Sequence, residues 1–267
     1  MRTAWQPSPT LRVSAAVHAA AAVGAIAMPT LWPWALGAVA ANHALLTAAG
    51  LWPRSTLLGP NLLRLPASAA ARGEIALTID DGPDPEVTPR VLDLLDAAGA
   101  RATFFCIANQ ARKHPALCRD IVARGHRIEN HSDMHSVAFS LFGPSRMRCD
   151  IAAAQTTLSE LGGAAPRFFR APAGLRNPFL DPVLHGLSLQ LASWTRRGFD
   201  TRCADAEIVL KRLSHNLAAG DILLLHDGHA ALTASGEPVI LAVLPKLLRH
   251  ISERNLRCVT LAESLPS

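Results

Sequence analysis

Two groups of ionisable residues in this 267-residue chain have types and spacings that could do chemistry together. Asp80 and Asp81 are adjacent, and His131 and His135 lie four residues apart. On one helical turn, that spacing would point both imidazoles the same way. With one carboxylate they would form a three-ligand metal site that leaves a position open for water. A second aspartate could take a proton from that water, so the set predicts metal-assisted hydrolysis.

Two further residues could complete such a site. Arg170, if it lies beside the base, would keep that carboxylate charged and oriented. His226 ends the apolar run 222–225 and could donate a proton to a leaving group. Each feature also has a structural interpretation. The sequence Asp-Asp-Gly-Pro-Asp-Pro is good turn chemistry, a pair of histidines four apart occurs on solvated helix faces, and a histidine at a strand end is often structural.

From residue 74 onward the sequence alternates between strand and helix patterns. Thr88 as N-cap and Pro89 at the first helical position predict a helix that Gly99 ends. Short apolar or alternating runs bounded by turn residues predict seven strands, over 74–79, 102–107, 126–130, 167–170, 189–194, 221–226 and 256–261. The other helices are predicted near 115–124, 145–161, 204–218 and 238–254. This alternation predicts a parallel sheet with helices outside, either a barrel or an open doubly wound sheet.

The ionisable residues follow the predicted strands at one end. In parallel barrels the site forms from loops after the carboxyl ends of the strands. Asp80 and Asp81 follow the first strand, His131 and His135 the third, Arg170 ends the fourth, Asp200 lies beyond the fifth, and His226 closes the sixth. We therefore expect five segments to meet at one rim. His126 begins its strand, so it is expected at the opposite rim in a structural role.

The charge distribution argues against a nucleic-acid-binding surface. Residues 1–73 contain five arginines and no lysine or acid, whereas residues 74–267 carry 21 basic and 21 acidic residues. The net charge of +5 therefore belongs to the N-terminal segment. The five cysteines show no metal-binding spacing, which predicts small buried hydrophobic residues rather than a disulfide framework.

Residues 1–72 are expected to form a membrane-associated segment with two hydrophobic helices, about 13–28 and 31–52, followed by a catalytic domain over 73–267. Four of the five tryptophans lie near the ends of these runs, as in an interfacial aromatic belt. Arginines flank the pair on both outer sides, which favours a hairpin with both ends cytoplasmic. The alternatives are a signal or anchor with Ala25-Ile26-Ala27 as a cleavage site, or two alanine-rich helices packed on a soluble domain.

Four segments resemble, in the right order, the motifs of the polysaccharide deacetylases, carbohydrate esterase family 4, which carry the NodB homology domain. They are Thr78–Pro83, His131–His135, Arg170–Gly174 and Leu223–His226, within a resemblance that spans about Glu74 to Leu261. The family fold is a distorted seven-stranded β/α barrel. The expected fold class is therefore α/β, a distorted (β/α)7 NodB-like barrel preceded by an N-terminal hydrophobic helical hairpin.

The resemblance implies metal-dependent removal of an N-acyl group, usually acetyl, from an amino sugar. It implies one divalent ion, commonly Zn²⁺, with other divalent transition metals as alternatives. The implied roles are Asp80 as general base, Asp81, His131 and His135 as metal ligands, Arg170 as the residue that orients the base, His226 as general acid and Asp200 as its support. The expected substrate contacts are Pro172, Ala173, Gly174 and Trp194.

Two departures from the family pattern bear on the substrate. Ala173 stands where an aromatic residue is usual, and after Trp194 the fourth motif has Arg197 in place of an acid and Thr201 in place of an aromatic residue. The chain contains no tyrosine. Because grooves for long glycans rely on aromatic stacking, a polymer substrate is less favoured.

The leading hypothesis is a membrane-attached N-deacylase acting on an amino sugar of a polysaccharide or lipid-linked glycan. The hairpin, the few aromatic residues and Arg176, Arg196 and Arg197 favour a phosphate-bearing lipid-linked sugar. The alternatives are a deformylase of a lipid-linked formamido sugar and a catalytically silent glycan-binding or scaffold protein of the same fold. The expected partners are the sugar or glycolipid and membrane lipid, without nucleic acid. The plasma (inner) membrane is expected, with the cytoplasmic face favoured for the catalytic domain.

Overall fold

A computed structural model describes residues 4–265 and contains one parallel sheet surrounded by helices. The sheet curls into a partial barrel with the strand order β5-β4-β3-β2-β1-β7-β6, and β8 pairs with the start of β1. All the strand pairings are parallel. The strands are β1 (Glu74–Asp80), β2 (Thr103–Cys106), β3 (Arg127–Asn130), β4 (Phe168–Phe169), β5 (Gln190–Leu191), β6 (Arg196–Arg197), β7 (Ile222–His226) and β8 (Arg257–Val259).

Helices connect most of these strands, as the alternating sequence pattern predicts. They are α1 (Pro9–Ala27), α2 (Trp32–Leu51), α3 (Ala67–Ala71), α4 (Thr88–Ala97), α5 (Ala108–Lys113), α6 (Pro115–Ala123), α7 (Pro144–Gly162), α8 (Leu180–Leu187), α9 (Ala206–Ser214), α10 (Val239–Glu253) and α11 (Leu261–Ser264). The predicted α/β class with an N-terminal pair of apolar helices is confirmed.

The side chains of β1 show how one strand serves both the core and the site. Ile75, Leu77 and Ile79 are fully buried in the hydrophobic cluster that also contains residues of α4 and α10. Successive side chains of a strand point to opposite faces, so Thr78 and Asp80 share the other face. Both are hydrogen-bonded to Arg170 on that inner face. Burial of the apolar face therefore fixes where the polar face of β1 lies.

Two local predictions are wrong in detail. The seven predicted strands are present, but Arg196–Arg197 forms an additional short strand, β6, beside β7. This segment has no alternating apolar pattern, because its pairing depends on backbone contact with β7 rather than on burial. Thr88 is the first residue of α4 rather than its N-cap. Its hydroxyl instead donates to Asp227 at 2.5 Å and accepts from the backbone of Asp84.

The cysteine prediction holds for only part of the set. Cys106, Cys118 and Cys258 are buried, whereas Cys149 is exposed and Cys203 is partly exposed. Cys149 lies on the outer face of α7, a position that periodicity assigns only when the helix register is known. All five are free thiols.

The two N-terminal helices are long and apolar enough to cross a membrane, by length and composition. They pack antiparallel, and Asn42 of α2 donates to Ser14 of α1 at 2.9 Å. Their far end is exposed, with Ile26 at 80% and Trp34 at 78% of their full accessible surface. A helix pair that packed on a soluble domain would bury these residues. Arg2, one of the flanking arginines, lies outside the described residues.

The near end of this hairpin is attached to the barrel. The Trp5 indole donates to Asp181 at 2.7 Å, and the Ser8 hydroxyl donates to the Leu57 carbonyl. The backbone N–H of Arg176 donates to the carbonyl of Gly50 at 3.1 Å. A side chain at residue 50 would collide with the Arg176 backbone, so glycine permits this close approach. The hairpin therefore leaves the barrel in a defined direction.

His126 lies at the amino end of β3 and is buried, as predicted for a structural residue. Its Nδ1 accepts a hydrogen bond from the backbone N–H of Ala102 at 3.2 Å, so the neutral ring carries its proton on Nε2. Burial lowers the pKa of His126 from 6.5 to about 4. Protonation would also displace the Ala102 bond. His126 therefore stabilises the fold only in its neutral form.

We predict that His126 makes the protein sensitive to acid. Between pH 6.5 and 4 the unfolded chain takes up a proton that the folded chain does not, so the free energy of unfolding falls as the pH is lowered. The loss attributable to His126 is about 3 kcal/mol. Thermal unfolding in detergent at several pH values should show a weaker pH dependence for H126Q than for wild type. H215Q, at an exposed histidine, serves as the control; identical pH dependence of H126Q and wild type would contradict the assignment.

Candidate active site

The carboxyl ends of the strands bring the predicted residues to one rim. Asp80 ends β1 and His226 ends β7, and the two are direct partners in the register of these strands. His131 follows the last residue of β3, and Arg170 follows the last residue of β4. The parallel register of four strands therefore places these side chains around a single opening.

Asp81, His131 and His135 form a compact group that could hold a metal ion. One ligand atom from each lies within 4.8 Å of the others. The Oδ1 atom of Asp81 is 3.2 Å from Nε2 of both histidines. This buried oxygen forms no hydrogen bond among the described residues. A buried carboxylate oxygen that faces two ring nitrogens without hydrogen-bond geometry fits coordination to a cation.

The protonation of the group also fits a metal centre. Nδ1 of His131 lies 2.8 Å from the Arg170 carbonyl oxygen, which can only accept, so Nδ1 carries a proton and Nε2 is the ring nitrogen that faces the site. Burial acts to lower the pKa of His131, but the Asp80 and Asp81 carboxylates outweigh it and raise that pKa, so a cation bound here would take the place of the Nε2 proton. Burial and the neighbouring His131 lower the pKa of His135 to about 4, so its ring is neutral at pH 7. Burial acts to raise the pKa of Asp81, but the His131 and His229 imidazoles outweigh it and lower that pKa.

The segment that carries the two histidines is not the helical turn that their spacing suggested. Residues 131–135 form an irregular bend in which Ser132 and His135 have positive φ angles of 68° and 49°. Asp81 has a φ of 78°. Non-glycine residues with positive φ cost energy, and they cluster at functional sites. The convergence of the three ligands thus comes from backbone geometry that a periodicity argument does not describe.

Asp80 is held by a fully buried arginine. Nη1 of Arg170 donates to Oδ1 of Asp80 and to Oγ1 of Thr78, each at 2.7 Å. The other guanidinium nitrogens donate to the carbonyls of Ala192 and Ser193, and the group stacks on the Phe105 ring. The guanidinium thus places a positive charge and a hydrogen-bond donor beside a buried carboxylate. The second oxygen of Asp80, Oδ2, is 3.8 Å from Nε2 of His131.

His226 is paired with Asp200 in the way the sequence predicted for these residues. Nδ1 of His226 lies 2.9 Å from Oδ1 of Asp200, and the backbone N–H of His226 donates to Oδ2 at 2.7 Å. Burial acts to lower the pKa of His226, but the Asp200 carboxylate outweighs it and raises that pKa. This arrangement leaves Nε2 as the ring nitrogen free to exchange a proton with a reacting group.

Two residues at this rim were missed in the sequence. Nδ1 of His229 lies 3.3 Å from Oδ2 of Asp81, with its side chain 65% exposed. Asp227 is buried and accepts from Thr88, and burial raises its pKa to about 7. Asp227 is the residue after the end of β7, and His229 comes two residues later. Their position just after a strand that ends in a predicted site residue was the signal available in the sequence. Their relation to Asp81 depends on the turn at Gly228, which packs against the Asp81 backbone.

The predicted substrate-contact residues lie on the neighbouring side of the opening. Pro172, Ala173 and Gly174 form a 3-10 turn in which Ala173 has a φ of 54°. Trp194 is 6% exposed and stacks near Arg170 and Arg197, at 5.8 and 5.3 Å from ring centre to guanidinium carbon. Gly174 lies against Trp194 and Pro53, so the turn and the indole form one packed wall.

Comparisons with known proteins agree with this geometry. Residues 67–191 match the family model described as polysaccharide deacetylase. A peptidoglycan-N-acetylglucosamine deacetylase of Bacillus cereus is 34% identical over 193 residues, covering 72% of this chain and 87% of that protein. A chitooligosaccharide deacetylase of Azorhizobium caulinodans is 34% identical over 158 residues, covering 59% of this chain and 75% of that protein.

A solved structure shows the same fold. The crystal structure of a peptidoglycan N-acetylglucosamine deacetylase in complex with 4-naphthalen-1-yl-N-oxidanyl-benzamide superposes with a TM-score of 0.69 at 26% identity. The match covers 77% of this chain and 92% of that chain. The fold and site define a carbohydrate esterase with a NodB-like barrel. The chain belongs to the polysaccharide deacetylase family, and the resemblance seen in its motifs is confirmed.

We predict that Asp200 controls the proton on His226. Asp200→Asn should lower kcat by about 10²–10⁴, because an amide can stabilise the wrong ring tautomer and no longer offsets the positive charge. Steady-state deacetylation of an N-acetylglucosamine oligomer measures this effect, with the melting temperature as a check on folding. D93N, which removes a surface carboxylate bonded to Arg124, is the control and should stay within about twofold. An unchanged kcat for D200N would exclude the proposed support of His226.

Proposed function

We propose that this protein is a metal-dependent N-deacetylase acting on an N-acetylglucosamine-type amino sugar at a membrane. The activity class is that of the family to which the chain belongs. The observation that carries the metal dependence is the buried Oδ1 atom of Asp81, 3.2 Å from both His131 and His135 and without a hydrogen bond among residues 4–265. Two imidazoles and one carboxylate are a ligand set that zinc accepts.

A divalent ion bound by Asp81, His131 and His135 would polarise the acyl oxygen and lower the pKa of a bound water. Asp80 is the general base that accepts a proton from the attacking water. It is oriented for this role because the Arg170 guanidinium balances the charge of a carboxylate and holds one of its oxygens at 2.7 Å. Its other oxygen is directed toward the group of metal ligands, 3.8 Å from His131.

His226 completes the reaction as the general acid. The water oxygen bonds to the carbonyl carbon, and the carbon–nitrogen bond breaks to release acetate. His226 gives a proton to the departing nitrogen, so the sugar leaves as a free amine. Asp200 stabilises the protonated ring beforehand. The backbone N–H of Ala173 lies in the turn beside the site and is proposed to stabilise the oxyanion.

The N-terminal hairpin is proposed to anchor residues 73–267 to the plasma (inner) membrane. Its support is the exposure of the apolar far end, at Ile26 and Trp34, together with the attachment of the near end to the barrel. Both helix ends that meet the barrel carry the arginines, and positive charge favours the cytoplasmic side. We therefore propose a cytoplasmic catalytic domain and a chain that retains the hairpin.

We predict that Asp80→Asn abolishes turnover and spares the metal. The amide cannot accept the proton of water, so kcat should fall by about 10³ or more. D80N leaves Arg170 without its counter-charge, so its thermal unfolding transition is measured first to confirm that the purified protein is folded. The metal content of the folded D80N protein should remain at the wild-type stoichiometry, whereas H131A and H135A should lose both metal and activity. Quantifying acetate against formate in the wild-type reaction identifies the acyl group. Normal hydrolysis by D80N would show that the base is misassigned.

We also predict a membrane hairpin that crosses twice. Green fluorescent protein fused after Arg64 should fluoresce, and alkaline phosphatase at the same position should be inactive, because both report a cytoplasmic location. Fusions after Met28, in the turn between the helices, should give the opposite pattern and serve as the matched control. Active phosphatase after Arg64 would place the catalytic domain on the other face. An N-terminus that sequencing places after Ala27 would identify a cleaved signal instead.

A further inference from the structure

A large groove lies beside the candidate active site and has no role in the chemistry described above. Its volume is about 1410 Å³. Its walls are the end of α2 and the residues that follow it, the turn at Ala173, strand β6 and helix α9. It is large enough for a sugar with substituents on both sides. Its position makes it the route by which a substrate longer than one sugar would extend from the site.

The aspartate, glutamate, lysine and arginine side chains that line the groove are all of one sign, positive. The groove contains six cationic side chains and no aspartate or glutamate: Arg54, Arg196, Arg197, Arg202, Lys211 and Arg212. Residues 74–267 as a whole carry 21 basic and 21 acidic residues, so this concentration of positive charge is local. Grooves lined by one sign of charge attract ligands of the opposite sign. The ligand of this groove is therefore expected to be an anion.

Most of these cations have no carboxylate partner. Among residues 4–265, only Arg196 of the six forms a salt bridge, to Asp221 at 2.8 Å. Arg197 stacks between Trp194 and Phe199, and its Nε atom is buried without a hydrogen bond among the described residues. Arg176, which was expected to act together with Arg196 and Arg197, is not in the groove; it is buried and donates to the backbone carbonyl of Ser55. Arg54 and Arg212 donate to the backbone carbonyls of Thr195 and Gly198, which do not neutralise their charge. Five cations without a carboxylate partner among the described residues are thus available to an anionic ligand.

The groove joins the catalytic opening at Arg197. The Asp80 and Asp200 carboxylates act electrostatically on its guanidinium. Trp194, which contacts both Arg170 and Arg197, and Ala173 form part of the same wall. An anionic group in the groove would therefore be close to a sugar whose amide is at the site. The anionic group and the sugar would then belong to one molecule or to two molecules bound side by side.

The opposite wall of the groove is apolar and belongs to the hairpin. Ala48, Leu51 and Trp52 line it, and the side chains of Leu51 and Trp52 are about 60% exposed, at 59% and 61%. These residues are at the end of α2 that meets the barrel, so they lie at headgroup depth if the hairpin spans the bilayer. Lipid phosphates occupy this depth, and their chains extend from it into the bilayer.

We infer that the groove binds the phosphate that links the amino sugar of the substrate to a lipid. The inference rests on the proposed deacetylase function and names its substrate class as a lipid-linked sugar phosphate. Arginine and lysine donors suit phosphate oxygens, and an exposed apolar wall suits the first part of the lipid chain. Arg202, Lys211 and Arg212 supply the outer charges, and Arg197 lies between the phosphate and the catalytic opening.

The test compares three substrates that carry the same N-acetylglucosamine: one linked to a polyprenyl chain through phosphate, one carried on an uncharged lipid, and its soluble 1-phosphate. The full-length protein is assayed in nanodiscs of zwitterionic lipid. The double variant R202Q/K211Q removes two exposed cations that have no salt-bridge partner among the described residues. We expect its KM to rise by about 10–100-fold on the phosphate-linked lipid, with kcat and KM on the uncharged lipid within about twofold of wild type.

The matched control is K113Q/R119Q, which removes one lysine and one arginine from α5 and α6, outside the groove. It should behave as wild type on all three substrates. An equal effect of R202Q/K211Q on charged and uncharged lipids would overturn the phosphate assignment. A KM for the soluble 1-phosphate as low as that of the lipid-linked substrate would show that the groove binds a free sugar phosphate. If the rise in KM caused by R202Q/K211Q disappears in nanodiscs of anionic lipid, the groove binds lipid headgroups in general and the phosphate-linked substrate is not its specific ligand.

Binding separates failure of this inference from failure of the proposed function. Affinity of D80N for nanodiscs containing the phosphate-linked lipid is measured with and without R202Q/K211Q. Charge-dependent binding with no hydrolysis of any substrate by wild type would contradict the deacetylase function and retain the phosphate site. Hydrolysis together with binding that the double variant does not weaken would support the enzyme and overturn the groove assignment.

Discussion

The buried ion pair between Arg170 and Asp80 is the interaction on which the site depends. Arg170 is 1% exposed, and its donors are divided among a carboxylate and a hydroxyl of β1 and two carbonyls of the segment after β5. Removing one partner of such a pair leaves an uncompensated buried charge at a cost of about 3–5 kcal/mol. The pair therefore fixes the separation of β1, β4 and the segment after β5, and it places a positive charge beside the proposed general base.

The remaining groups are arranged around that pair by strand register. Asp80 and His226 are register partners, so the base and the acid are separated by one interstrand distance. Glu129 is a buried residue of β3 whose carboxylate accepts from the backbone N–H groups of Arg167 and Phe168. This contact helps to position β4, which leads into Arg170. The backbone carbonyl of Arg170 in turn orients His131. Arg170 thus contacts Asp80 through its side chain and His131 through its backbone carbonyl.

The hairpin and the groove continue this arrangement outward from the site. Gly50 permits the end of α2 to contact the backbone at Arg176, and this contact places Leu51 and Trp52 along one wall of the groove. The altered fourth motif contributes Arg196 and Arg197 to the opposite wall as strand β6. Departures from the family pattern and the N-terminal hairpin therefore meet at one surface.

Sequence alone determined the α/β alternation, the two apolar helices and the residue types at the strand ends, because periodicity and punctuation are local properties. It also identified the family through four ordered motifs. Tertiary structure decided the rest. The bend at 131–135 depends on positive φ at Ser132 and His135, strand β6 depends on β7, and His229 reaches Asp81 only through the turn at Gly228. Arg176 and Arg197 look alike in sequence, yet one anchors the hairpin and the other lines the groove, because long-range packing rather than residue type assigns a side chain its neighbours.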